Sequence, residues 1–231
     1  MKKYSFNLLL LLLFCFLCTS CFEIKEELTL KKDGSGTYSF TMDMSQLKQV
    51  FIMSQAFAKG FSSMDTSGKY KPNMNFHNPM LNMKIKFDQL KYKLEEIKGI
   101  TNYEVVYDTS LYLIGAKYNF SNITALNASV NELQKDQEEK QEDHYKYNGR
   151  VFERYNSISE NDVKIGANND SIARSMLGTA RYHIIYHFEE PVKDFENENY
   201  YMSRDRKTLI FTAPLMDLVD RKVLIDNKVK F

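Results

Sequence analysis

Glu23-Ile-Lys-Glu-Glu-Leu-Thr-Leu-Lys31, then Asp33-Gly-Ser-Gly36, then Thr37-Tyr-Ser-Phe-Thr-Met-Asp43: the fold class turns on this stretch. Ile24, Leu28 and Leu30 share one phase of the first segment, and Lys25, Glu27, Thr29 and Lys31 share the other. A period of two describes a strand with one buried face. The Asp33-Gly34-Ser35-Gly36 segment supplies residues that tolerate positive φ. Beyond it Tyr38, Phe40 and Met42 alternate with Thr37, Ser39, Thr41 and Asp43. Two alternating runs about such a turn form a β-hairpin.

Further along, the pattern repeats. Tyr103, Val105 and Tyr107 face Tyr112, Ile114, Ala116 and Tyr118 across Asp108-Thr109-Ser110, a second hairpin. From Arg181 to Phe188, Tyr182, Ile184, Tyr186 and Phe188 alternate with Arg181, His183, Ile185 and His187 until Glu189-Glu190-Pro191 stops the strand. Tyr145 to Tyr155 suggests a ribbon broken at Asn148-Gly149. Leu209–Phe211 reads as a short strand, and Val223–Ile225 with Val229 and Phe231 as a final one.

Between the strands lie three amphipathic helices. Ser45 is a suitable N-cap for the first, predicted to run to Phe61 with Leu47, Val50, Phe51, Phe57 and Phe61 inward. The second carries Phe87, Leu90, Leu94 and Ile97 and ends at Gly99. The third carries Ile123, Leu126, Val130 and Leu133, capped by Ser121 or Asn122. Pro214 to Val219 predicts a helical turn. Residues 62–82 and 156–178 have loop composition, and 132–143 is a solvated charge run. This order predicts an α+β fold, an antiparallel sheet built from hairpins with amphipathic helices packed on one face, in a single extracytoplasmic domain over 21–231. Its exposed face is expected to carry Lys25, Glu27, Thr37, Ser39 and Thr41, joined by His183 and His187 if their strand shares the sheet.

The N-terminus supplies an address. Met1-Lys2-Lys3 precedes an apolar run, Leu8 to Leu17, and then Cys18-Thr19-Ser20-Cys21. A charged start, a short apolar region and small residues describe a secretory signal peptide. The run is shorter than the ~20 residues a membrane helix needs. The residues before Cys21 resemble the lipobox of bacterial lipoproteins, with Cys18 where Leu is usual. That resemblance implies a signal peptide over 1–20, acylation of Cys21, palmitate among the acyl groups, and a cell-envelope protein held by its lipid anchor at the outer membrane. An ordinary signal peptide with incidental cysteines is the plainer alternative. Glu23, Glu26 and Glu27 around Lys25 resemble the acidic export signals of surface-exposed Bacteroidetes lipoproteins. The first strand explains them equally well, so the surface and periplasmic faces both stay open.

Composition excludes several function classes. The formal charge of +1 offers no basic stripe for nucleic acid. All three cysteines, Cys15, Cys18 and Cys21, lie in or beside the leader. The mature chain therefore has no disulfide, thiolate zinc site or cysteine nucleophile. No Gly-x-Ser-x-Gly elbow, Walker loop or His-Glu-x-x-His occurs. Gly34-Ser35-Gly36 leads into a strand, where a phosphate loop would lead into a helix. His183 and His187 stand roughly 13 Å apart along a strand, too far to share a metal, with no carboxylate specifically placed beside them. No cofactor is expected. Asp170-Ser171-Ile172 resembles the O-glycosylation acceptor of Bacteroidetes, which would modify Ser171.

From Cys21 to Met44 the chain resembles a family of uncharacterised Bacteroidetes lipoproteins, in which a hairpin with an Asp-Gly-Ser-Gly turn follows the lipidated cysteine. It also resembles the opening of LppM-like lipoprotein domains, and Leu215-Met-Asp-Leu-Val219 is a second point of similarity. The resemblance implies an antiparallel sheet with helices packed on it, a fold likened to lipid-binding folds. It transfers no binding residue. The expected function is a non-catalytic envelope module that binds a lipid-like ligand. A protein-binding or assembly lipoprotein is the alternative, and an envelope hydrolase is a further class. The sharpest expectation is that Phe51, Phe57 and Phe61 line an acyl-sized cleft between the first helix and the sheet; as plain core, the same rings simply close the interior.

Overall fold

The computed structural model describes residues 22–49, 52–53, 79–133, 143–155 and 178–231. The opening hairpin is present as β1 (Phe22–Leu30) and β2 (Gly36–Asp43), paired from Glu23–Asp43 to Leu30–Gly36. Asp33 closes its turn, accepting the Ser35 amide at 2.9 Å and the Ser35 hydroxyl at 2.6 Å. Gly34 sits there at φ +83°, where a side chain would be strained. Of the helix expected from Ser45, Ser45–Leu47 is a 3-10 turn and the other described residues, Lys48, Gln49, Ile52 and Met53, are α-helical. Phe51, Phe57 and Phe61 lie outside the described residues.

Helix α1 (Pro79–Glu95) begins inside the segment 62–82 that reads as loop. Proline is the reason: at a first helical position its missing N–H costs nothing, so a loop signal becomes a start signal. Strands β3 (Ile100–Asp108) and β4 (Leu113–Phe120) form the second hairpin. In α2 (Ile123–Leu133) the cap is Asn122, whose Oδ1 accepts the Ala125 amide at 2.9 Å. The chain continues through β5 (Tyr145–Tyr147), β6 (Val151–Arg154), β7 (Ala180–Phe188), β8 (Asp194–Phe195), β9 (Tyr200–Met202), β10 (Thr208–Pro214), α3 (Leu215–Val219) and β11 (Asn227–Lys230). The final strand is shorter than the expected 223–231, and β10 is longer than Leu209–Phe211.

The larger sheet has the order β3-β4-β2-β1-β7-β10-β9, and the smaller β5-β6-β11-β8. All pairs are antiparallel except β1 with β7, which run parallel from Phe22–Ala180 to Leu30–Phe188. The fold is α+β, and its antiparallel character holds everywhere but at this central pair.

One face of the larger sheet is buried. Leu28 pairs with Tyr38 on one side and Tyr186 on the other, and Tyr38 pairs with Tyr118, so one row of the inner face crosses four strands. All four side chains are buried. On the other face Lys25, Glu27, Thr37, Ser39, Thr41, His183 and His187 are all partly exposed. Helices α1 and α2 cover the inner face at its β3-β4 end, where Tyr103 donates to the Phe87 carbonyl at 2.9 Å. The smaller sheet shares that face over β7: the Phe152 ring lies 5.3 Å from Tyr186 and 5.5 Å from Phe188. Side chains of both sheets and all three helices thus meet in one core.

Candidate functional site

Glu26 occupies the apolar phase of β1, between Ile24 and Leu28, and is only 1% exposed. Its countercharge is Arg154 of β6, 2% exposed, with Nη2 3.3 Å from Oε2. Three phenols complete the carboxylate's partners. Tyr145 donates to Oε1 at 2.5 Å, Tyr186 donates to Oε1 at 3.3 Å, and Tyr182 donates to Oε2 at 2.9 Å. Burial, reinforced by the Glu26 charge, raises the pKa of all three well above the ordinary tyrosine value, so each stays a donor. The Arg154 guanidinium lies 4.6 Å from the Tyr145 ring centroid and donates to the Tyr155 carbonyl at 3.0 Å and the His144 carbonyl at 3.4 Å. A buried ion pair needs such extra bonds to offset its desolvation; here both Nη atoms of Arg154 are engaged, while Nε is buried without a partner among the described residues. The cluster pins β1 and β7 of the larger sheet to β5 and β6 of the smaller.

Tyr182 links this cluster to a cavity. A cleft of 380 Å³ opens between the larger sheet and the two helices. Strand β2 contributes Tyr38, Phe40 and Met42, and β7 contributes Tyr182. From α1 come Met83, Lys86, Phe87 and Leu90, at the spacing of one helix face, and from α2 come Val130 and Leu133. Pockets of about 300–1,000 Å³ with mostly apolar walls and few polar groups are characteristic of small-molecule sites. The single charge in this lining is Lys86. The other lysines of α1 meet carboxylates: Lys84 with Asp88 at 2.6 Å, Lys91 with Glu95 at 3.8 Å, Lys93 with Glu132 at 3.0 Å. No carboxylate among the described residues lies within ion-pair distance of Lys86. Among the described residues, the lining thus combines apolar walls with one cation that has no carboxylate partner.

Cys21, Phe51, Phe57, Phe61 and Ser171 all lie outside the described residues. The cleft that is described uses the second and third predicted helices, and its lining residues have the spacing of ordinary core. His183 and His187 do lie on the outer face, but each has a carboxylate nearby: Glu23 at 3.6 Å and Glu27 at 3.2 Å. The parallel β1–β7 pairing creates both contacts, which is why sequence neighbours do not reveal them. Among the described residues no three His, Cys, Asp or Glu side chains gather closely enough to hold a metal ion. The sequence reading does not foresee Glu26 and Arg154 as a buried pair; it places Glu26 only among the acidic residues that resemble an export signal. A charged residue on the apolar phase of a strand is the signal that could have found Glu26.

His144 sits beside the cluster, Nε2 2.9 Å from Asn131 Oδ1, with Nδ1 buried and unpartnered among the described residues. Burial, helped by the Arg154 charge, lowers its pKa to about 4.

Among the described residues no helix is long and apolar enough to cross a membrane. No family model matches the sequence, and no curated protein matches it. Among solved structures, the chain is similar to the folded domain of LppM from Mycobacterium tuberculosis, determined by NMR. The alignment covers 90% of this chain and 88% of that one, at 11% identity and a TM-score of 0.40.

Proposed function

We propose that this chain is a lipid-anchored envelope lipoprotein, acylated at Cys21, that acts as a non-catalytic module and takes the acyl portion of a lipid-like ligand into the cleft between the larger sheet and helices α1 and α2. The observation that carries this reading is the cleft itself: 380 Å³, walled by Phe40, Met42, Met83, Phe87, Leu90, Val130 and Leu133, with Lys86 as its one charge. Burying apolar ligand surface against such walls contributes roughly 25 cal/mol per Å². Lys86 stands where an anionic head group would be received. Glu26 supports the non-catalytic reading, because both carboxylate oxygens are engaged by internal donors and the group is shut from solvent.

Cells fed a photoreactive, alkyne-bearing fatty acid test both halves of the reading. Label at Cys21 should appear without illumination, as covalent acylation. Light-dependent label should map to peptides containing Met83–Leu90 and Val130–Leu133, and the cleft-filling change Leu90→Trp should remove it. Light-dependent label that avoids both helices would refute the cleft. Absence of label at Cys21 would refute the anchor.

A further inference from the structure

The outward side of α1 carries a second apolar surface that neither the core nor the cleft uses. Leu81 is 48% exposed, Ile85 46% and Tyr92 72%. At about 100° per residue these positions fall in one narrow stripe, opposite the buried Met80, Phe87 and Leu94. Lys86 and Lys93 border it on one side; on the other Asp88 and Glu95 lie next to the apolar residues, with their partners Lys84 and Lys91 just beyond. An apolar stripe on a helix with four lysines against two carboxylates resembles a helix lying in a membrane interface, its apolar residues among acyl chains and its ammonium groups at the phosphates. Asp88 and Glu95 form half-exposed pairs with Lys84 and Lys91, which hold little energy and can yield to lipid phosphate, whereas Lys93 pairs with Glu132, whose side chain is only 16% exposed.

The position of the helix names the occupant. Lys84 Nζ lies 5.8 Å from the Tyr107 ring centroid. Tyr107 pairs with Ile114, Ile114 with Met42, and Met42 with Ile24 of β1. The N-terminal half of α1 therefore stands at the end of the sheet where β1 begins, and Phe22, the first residue of β1, directly follows Cys21. Leu111, 59% exposed in the β3–β4 turn, lies at this same end, since Leu113 pairs with Asp43 and Asp43 with Glu23. With no tether between anchor and strand, acyl chains on Cys21 would hold this end of the molecule against the bilayer.

We infer that the outward face of α1, through Leu81, Ile85 and Tyr92 with its flanking lysines, docks on the anionic lipid surface of the membrane to which the chain is anchored. The inference rests on the anchor at Cys21. Lys86 then lies between the membrane-facing stripe and the cleft-facing residues of the same helix, so the cleft can draw its ligand from the bilayer without passage through water.

The chain contains no tryptophan, so a single introduced indole reports alone. Full-length acylated protein carrying Leu81→Trp, Ile85→Trp or, on the edge strand β9, Tyr201→Trp is reconstituted on vesicles of phosphatidylethanolamine and phosphatidylglycerol, with and without brominated acyl chains. Emission from Leu81→Trp and Ile85→Trp should shift to the blue and lose most of its intensity to the bromines, while Tyr201→Trp keeps its own. Protein that floats with the vesicles but is quenched equally at all three positions overturns the docked face and leaves the anchor standing. Protein that does not float overturns the anchor, and the docked face with it.

Discussion

Removing Arg154 tests whether the buried cluster holds the two sheets together. Arg154→Met leaves Glu26 inside the protein, 1% exposed, with phenols as its remaining partners. Breaking a buried pair in this way costs about 3–5 kcal/mol. Glu26→Leu strands the guanidinium with only carbonyl acceptors at 3.0 and 3.4 Å and costs a similar amount. If the effects were independent, the double variant would lose about 6–10 kcal/mol, most of the ~5–15 kcal/mol that a domain possesses. With both charges gone, however, what remains is chiefly the three phenols without their acceptor, at about 1 kcal/mol or somewhat more each. The double variant should therefore be no less stable than either single one, a coupling of about 3–5 kcal/mol. Urea unfolding followed by far-ultraviolet circular dichroism measures all four corners. Should a single variant fail to fold, the double variant still should. Single losses below about 1 kcal/mol, or a double loss equal to the sum, would refute the coupling.

Two further outcomes follow from packing and protonation. A Cβ on Gly36 would stand 1.9 Å from the Thr29 carbonyl oxygen, and on Gly115 2.1 Å from the Phe40 carbonyl oxygen. Gly36→Ala and Gly115→Ala must each push two strands apart, and each should lower the urea midpoint by the equivalent of about 3 kcal/mol. His144, with its pKa lowered to about 4, stays neutral in the folded protein while the unfolded chain takes up a proton near 6.5. The unfolded state thus binds more protons between these values, and stability falls as pH falls from about 6.5 toward 4. His144→Gln should flatten that part of the stability profile; an unchanged slope would contradict the assignment.

Much of the fold is visible in the chain's periodicity, and the failures have physical causes. Hairpins β1–β2 and β3–β4, strand β7 and helix α2 announce themselves because each buries one face and exposes the other, so polarity and period agree. Strands β8 and β9 are two and three residues long, too short to display a period. The β1–β7 pairing joins segments such as Leu30 and Phe188 through no local signal, yet it sets the strand order and brings Glu23 and Glu27 to the histidines. Helix α1 is blurred in sequence because it is apolar on two sides, Met83 and Phe87 inward, Leu81 and Ile85 outward. The cleft follows from strand order as well. Tyr38, Phe40 and Met42 read as inner-face residues from alternation, but only the sheet's arrangement decides that α1 and α2 stand over them with space between. Glu26 is legible in the sequence: a carboxylate in phase with Ile24 and Leu28 has to find a buried partner.

Occupancy of the cleft is the central claim, and native mass spectrometry of the full-length protein released from its own cells measures it directly. The covalent anchor adds the same mass to every variant, so any further mass belongs to bound ligand. The wild-type protein should carry an additional non-covalent adduct of acyl-lipid mass, released on collisional activation, and Leu90→Trp should carry only the anchor. Identical spectra from the two proteins, with no adduct on either or the same adduct on both, would contradict a lipid held between α1, α2 and the sheet.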